Sequence, residues 1–343
     1  MLDLVNRSSW SAGLYPGWSL DCRPLLTAVF KAVHRFDADG VLEPLVPAPP
    51  IVEADAHHGD PLKTGLREAT EIAPFKQGSE CYLHGTAWPP DERSDGFAAR
   101  VELELADGTR WQKSLQVFGP RRWKRSLLGH RIVTEGPAEP TPLQHDSAWG
   151  GQHPEHRSRW VAGNPVGTGF NPTVTPLLDS RLPRIESGPP FMASPTQRLP
   201  VAGLGPLPGW WEPRRTEAGR PPEDPEAADG CPYGEGVTRA VHNVAPRDQR
   251  FAEPFVGGEV LTLWNLVRGV PGNRPLTLRL PRLTPGLRTV IDGRRESLDP
   301  VCDTLVIDTD ERTLAMIYRA AIPATDSAGW VVLDDAGAGE GAG

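Results

Sequence analysis

AARVELELADGTRWQKSLQVF (98–118) sets Val101, Leu103 and Leu105 on one side of an extended chain and Glu102 and Glu104 on the other. Successive side chains of a strand point to opposite faces, so this alternation predicts a half-buried strand. Asp107-Gly108 follows, a dipeptide suited to the positive backbone angles of a hairpin turn, and TRWQKSLQVF (109–118) continues as the second strand. Residues 98–118 therefore read as a β-hairpin.

The same pattern recurs near the other end of the chain. EVLTLWNLV (259–267), PLTLRLP (275–281), LRTVIDGRRESL (287–298) and DTLVIDTDERTLAMIYRA (303–320) all read as strand-turn-strand segments. ERTLAMIYRAA (311–321) fits helix or strand by composition. The alternation of Leu314, Met316 and Tyr318 with Ala315, Ile317 and Arg319 assigns it to a strand. Helix signals are few, the best being RDQRFAEPF (247–255), where a turn of helix is expected to begin.

Between these ends lies a Gly-Pro-Trp-Arg-rich middle, with PLQHDSAWGG (142–151), NPVGTGF (164–170), LPRIE (182–186) and PGWWEPR (208–214) in close succession. Clustered Gly and Pro keep a chain out of regular structure, and a loop region this long is usually functional. The expected fold is mainly β: sandwich-like antiparallel sheets with a long loop-rich Gly/Pro/Trp middle and little helix. Its expected divisions are 1–118 (β), 119–256 (loop-rich), 257–333 (β, packing with the first region) and a disordered tail, 334–343. The acidic, Pro-rich stretch 216–236 reads as a mobile excursion.

The chain has 343 residues and a formal charge of −8, with 36 Gly and 38 Pro but no fixed Gly period. Its basic side is 31 Arg and 5 Lys, densest in RRWKR (121–125), which argues against nucleic acid as a partner. Neither a signal-peptide pattern nor an apolar stretch of spanning length is present, so no membrane insertion and a cytoplasmic, bacterial location are expected. Cys22, Cys81, Cys231 and Cys302 lie far apart without a CxxC pair, and read as buried or incidental thiols.

Chemistry-bearing patterns are weak. His145, His153 and His156 offer imidazoles for zinc, but HPEH in a Pro/Gly loop lacks the helix that aligns two ligands, which favours structural histidines. DAHHGD (55–60) suits acid-base chemistry or, better, a polar turn set by Asp and Gly. There is no GxSxG elbow, no Cys/His signature and no phosphate-cradling loop. No cofactor and no metal is expected. The 11 Trp keep a sugar-binding platform open, although core and interface packing is their commoner use.

Taken in order, FKAV (30–33), EIAPFKQGSECYLHGTA (71–87), VFGPRRW (117–123), PLQHDSAWGG (142–151), NPVGTGF (164–170), LPRIE (182–186), PLPGWWEPR (206–214), HNVAPRDQ (242–249) and GGEVLTLWNL (257–266) resemble a bacterial family of unknown-function domains linked to type VI secretion. Studied members of that family act as effector-loading adaptors or chaperones. The resemblance spans most of residues 25–320 and departs after Arg214, where GRPPEDPEAADG (219–230) stands in place of a Trp-containing segment.

It implies a non-enzymatic protein that binds a toxic effector and helps place it on a VgrG- or PAAR-type spike. Arg121, Trp123, Trp149, Trp210, Trp211 and Arg214 are the expected shapers of the partner-binding surface, since Trp and Arg dominate buried interfaces. Two further readings stay open: a carbohydrate-active or cell-wall hydrolase with a Trp-lined cleft, and a structural component of the secretion apparatus.

Overall fold

The computed structural model describes residues 2–127, 129–153, 159–171, 180–223, 230–272, 274–324 and 327–334. Three sheets carry the fold, and the 98–118 hairpin lies at the heart of one of them. Its strands, Gly96–Glu104 and Arg110–Phe118, pair in antiparallel register with Leu103 opposite Trp111 and Ala99 opposite Leu115. Gly108 closes the turn at φ +84°, a conformation that Gly adopts without steric cost. Val260–Trp264 pairs with the free side of Gly96–Glu104, and Leu276–Arg279 follows it, so N-terminal and C-terminal segments share this five-stranded sheet. Its fifth strand is the two-residue Ile185–Glu186 from the middle of the chain.

A seven-stranded sheet packs against it. Its order is Arg250–Phe251, Ser79–His84, Val301–Asp308, Thr313–Pro323, Pro24–Phe36 and Ser11–Trp18, with Leu42–Pro44 also paired to Pro24–Phe36. Thr313–Pro323, assigned to a strand by its alternation, is indeed one. A smaller four-stranded sheet, Leu2–Asn6, Gly329–Asp334, Gly286–Ile291 and Arg294–Leu298, contains the predicted Asp292-Gly293 hairpin turn, both residues at positive φ. Most pairings are antiparallel, as expected. Ser79–His84 with Val301–Asp308 and Leu2–Asn6 with Gly329–Asp334 are parallel.

One apolar core unites the three sheets. Phe30, Leu83, Leu305, Ile307 and Met316 come from the large sheet, Val101, Leu103, Leu115, Leu261 and Leu263 from the five-stranded one, and Val331 and Leu333 from the third. Ala148, Ala202 and Leu204 of the middle region enter the same core. Burial of one such Leu or Phe is worth about 1.5–3 kcal/mol, so the middle loops are bound to the scaffold by the same force that holds the sheets together.

The opposite face of the large sheet is also covered. Ile51, Leu66, Ala69, Ile72, Val244 and Ala245 pack over Val29, Tyr82, Val306 and Ile317. A chain of buried charges runs beneath this cover. Lys31 Nζ donates to Glu71 at 2.8 Å, and Arg319 donates to the Glu71 carbonyl at 2.6 Å and pairs with Asp303. Thr304 links onward to Lys76, which pairs with Glu80. Asp303 reaches Arg319 because a β-bulge between Cys302 and Thr304 inserts it as an extra residue. Glu80 also accepts backbone N–H groups of Val244 (2.9 Å) and Ala245 (3.0 Å), so the covering segment is fastened to the sheet by a buried carboxylate.

Helix is scarce among the described residues: one α-helical turn, Arg214–Glu217, and three 3₁₀ turns, including Arg247–Gln249 where a helical start was expected. No helix among them is long and apolar enough to cross a membrane. The tail expected to be disordered lies, after Asp334, outside the described residues.

Candidate functional site: a loop-built groove

The middle region is held in place by a few buried polar residues. Asn164, fully buried, donates from Nδ2 to the carbonyls of His145 (2.7 Å) and Trp149 (3.1 Å), tying NPVGTGF to PLQHDSAWGG. Gly150 and Gly167 are required by its closeness, since a Cβ on Gly150 would meet the Asn164 carbonyl at 2.2 Å and one on Gly167 its Nδ2 at 2.5 Å. The glycines of NPVGTGF thus serve close backbone approach.

His145 sits in a 3₁₀ turn, His145–Ser147, with its ring edge on Trp211 at 5.4 Å. Its Nε2–H donates to the Gly205 carbonyl at 3.2 Å, and burial pushes its pKa down to about 4, so the ring is neutral near pH 7.

These segments enclose a groove of about 430 Å³ on the protein surface. His145, Gly163, Val201, Gly203 and Leu207 line its floor, with Pro213 and Pro246 on its flanks. Lys113, Glu212, Arg247 and Asp248 surround it. These charges are oriented by partners: Lys113 Nζ donates to Asp248 and to Gln249 Oε1, each at 2.8 Å, and Arg247 pairs with the buried Glu217 at 3.0 Å. The floor of the groove is apolar and its rim is charged.

The six residues singled out from the sequence divide between the surroundings of the groove and a neighbouring satellite core. Trp123 and Trp149 are buried in a satellite core with Leu182, Met192 and Leu199. Arg121 is buried, stacked over Phe118 at 3.6 Å, and paired with Glu186, which also accepts the Met192 N–H at 2.9 Å. Trp211, with no exposed surface, lies under His145. Arg214 donates to the Leu207 carbonyl at 2.7 Å and so fixes a floor residue. Trp210, half-buried like Arg214, is stacked on Trp160 at 5.8 Å. Trp210, Trp211 and Arg214 cluster beside the groove, whereas Arg121, Trp123 and Trp149 belong to the neighbouring satellite core.

The groove's own polar residues were missed. One signal was available: in the inward row Trp111, Lys113, Leu115, Val117, a lysine interrupts the apolar side of the hairpin's second strand. A charge pointing inward from a strand needs a polar destination, and here that is Asp248 and Gln249.

The other candidates resolve into structure. DAHHGD is a turn region, with Asp55 accepting the Thr70 N–H at 2.8 Å, Asp60 accepting the Leu62 N–H at 3.0 Å and His57 Nδ1 bonded to the Thr64 carbonyl at 3.0 Å. His156 lies outside the described residues, and among those described no group of three or more His, Cys, Asp or Glu is arranged to hold a metal.

The reading of the cysteines as buried or incidental thiols holds for two of the four and is corrected for the other two. Cys81 and Cys302 are buried and free, but Cys22 and Cys231 form a disulfide across 209 residues of sequence. Their separation in sequence concealed the pairing, which the fold creates by bringing the turn after Ser11–Trp18 against the loop after Arg214–Glu217. That loop, read as a mobile excursion, is anchored in its described part by the disulfide and by Arg220 N–H to Glu235 at 2.9 Å, with Tyr233 hydroxyl bonded to His242 Nε2 at 2.6 Å.

Fold and groove together define a β-scaffold that presents a rigid, loop-built surface. Residues 21–319 match the family model described as an uncharacterized protein conserved in bacteria (DUF2169), and the chain belongs to that family. No curated protein and no solved structure matches it.

Proposed function

We propose that this chain is a non-enzymatic adaptor of type VI secretion that binds a toxic effector through the groove and helps load it on a VgrG- or PAAR-type spike. One observation carries the reading: separate stretches of the middle region, distant in sequence, converge on a single apolar-floored groove. PLQHDSAWGG supplies His145, PLPGWWEPR supplies Leu207, Glu212 and Pro213, and HNVAPRDQ supplies Pro246, Arg247 and Asp248. A groove of this kind suits an extended client segment, whose apolar side chains would displace water from Val201, Leu207 and the prolines while its backbone meets the charged rim. The choice of type VI secretion rests on the resemblance of the nine stretches quoted above.

The test is affinity purification of the tagged protein from its host at physiological salt, in parallel with Val201→Arg, which fills the groove from a half-exposed position. A toxin-like protein and a spike protein should co-purify with the wild type and be lost with the variant, at unchanged thermal stability. Recovery of a partner-free protein that degrades a glycan or peptidoglycan panel would overturn the proposal.

A further inference from the structure

We propose that the two-stranded ribbon Arg121–Ser126 and Gly129–Thr134 is a docking arm for an acidic protein surface containing an apolar pocket. It shares no residue with the groove. The register of the ribbon places Lys124 opposite Arg131 and Arg125 opposite His130. The ribbon thus gathers several basic side chains near its turn.

At the root of the ribbon the positive charges are neutralised, Arg121 by buried Glu186 and Arg122 by Glu135 at 2.8 Å. Nearer the tip, Arg125, His130 and Arg131 are exposed, and no carboxylate pairs with these three among the described residues. Leu127, at the turn, is wholly exposed at 105%. The ribbon is nonetheless rigidly based, because Trp123 and Ile132, opposite one another, pack into the cluster with Trp149, Leu182, Met192 and Leu199.

A stiff basic arm tipped by an apolar side chain, on a chain whose formal charge is −8, is complementary to a negative surface with a hole in it. A protein fits this better than a nucleic acid does. Phosphate tracking needs a longer row of cations than two exposed arginines, and a solvent-facing leucine finds its natural partner in an apolar pocket.

The experiment uses the full chain and three fluorescent probes: a deca-glutamate peptide, a peptide of the same length with two glutamates replaced by leucine, and a short DNA duplex. Fluorescence anisotropy at low and physiological salt reads the affinities. The leucine-containing peptide should bind most tightly, and salt should weaken it. Arg125→Glu with Arg131→Glu reverses both exposed arginines, so it should lower peptide affinity by about tenfold or more while the melting temperature stays level. Leu127→Ser should remove only the advantage of the leucine-containing peptide, which keeps the proposal testable if the charge variant folds poorly. Absence of peptide binding by the wild type, unchanged binding by the folded charge variant, or tighter binding of DNA than of either peptide would each overturn it.

Discussion

Removal of the Cys22–Cys231 disulfide gives the sharpest quantitative test of the fold. The bond closes a loop of 209 residues, and the chain-entropy relation for a loop of that length gives an upper stabilisation of about 5 kcal/mol at 25 °C. An unfolding entropy of roughly 2.1 cal/mol/K per residue amounts to about 0.7 kcal/mol/K for this chain, so the corresponding fall in melting temperature is about 7 °C. Cys22→Ser with Cys231→Ser, followed by tryptophan fluorescence, should show most of that fall. A phosphine reductant should lower the wild type by the same amount and leave the variant unchanged. Thiol titration adds an independent count: two reactive thiols in unreduced, denatured protein, from Cys81 and Cys302, and four after reduction. Four thiols without reduction, or a melting temperature indifferent to both treatments, would refute the reasoning.

Glu80→Gln keeps the shape of a fully buried side chain but leaves the Lys76 ammonium without its counter-charge; a loss of about 3–5 kcal/mol is expected in denaturant titration, and adding Lys76→Met should recover much of it. His145, its pKa lowered to about 4 by burial against the ordinary 6.5, takes up its proton more readily in the unfolded chain; stability should be full above pH 6.5 and decline as pH falls toward 4, visible as a falling midpoint across that window. Gly203→Ala drives a methyl to within 2.2 Å of His145 Cε1; overpacking of about 1–3 kcal/mol should appear in denaturation, together with weakened client binding, because the groove floor must shift.

The scaffold was legible where alternation is local. Val101, Leu103, Asp107-Gly108 and the row from Leu314 to Arg319 encode strand and turn within a few residues, and the structure places them accordingly. What pairs with what was not legible, because the partners are far apart: Leu261 lies beside Leu103, and the Cys22–Cys231 bond depends on two loops meeting only in the folded chain. At the groove, composition pointed to the surrounding loops and not to the lining residues. A Trp-rich, Arg-rich loop signals large contacts without saying with what, and Trp123, Trp149 and Trp211 make theirs internally. Lys113, by contrast, carried its information in position rather than type, as a charge on the inward side of a strand.

Pro24–Phe36, the longest strand of the large sheet, lies between Ser11–Trp18 and Thr313–Pro323. Only the first of these neighbours is at hand when it leaves the ribosome. At roughly 5–20 residues per second, several hundred residues take some tens of seconds to make, and for that time the edge carrying Val29, Phe30 and Val33 waits for its partner. A nascent chain in this state is a template for pairing with other nascent chains. The yield of folded protein should therefore respond to the speed of translation and the supply of holding chaperones as well as to the stability of the finished sheet. Slower synthesis lengthens the exposure, and any truncation before Thr313 makes it permanent.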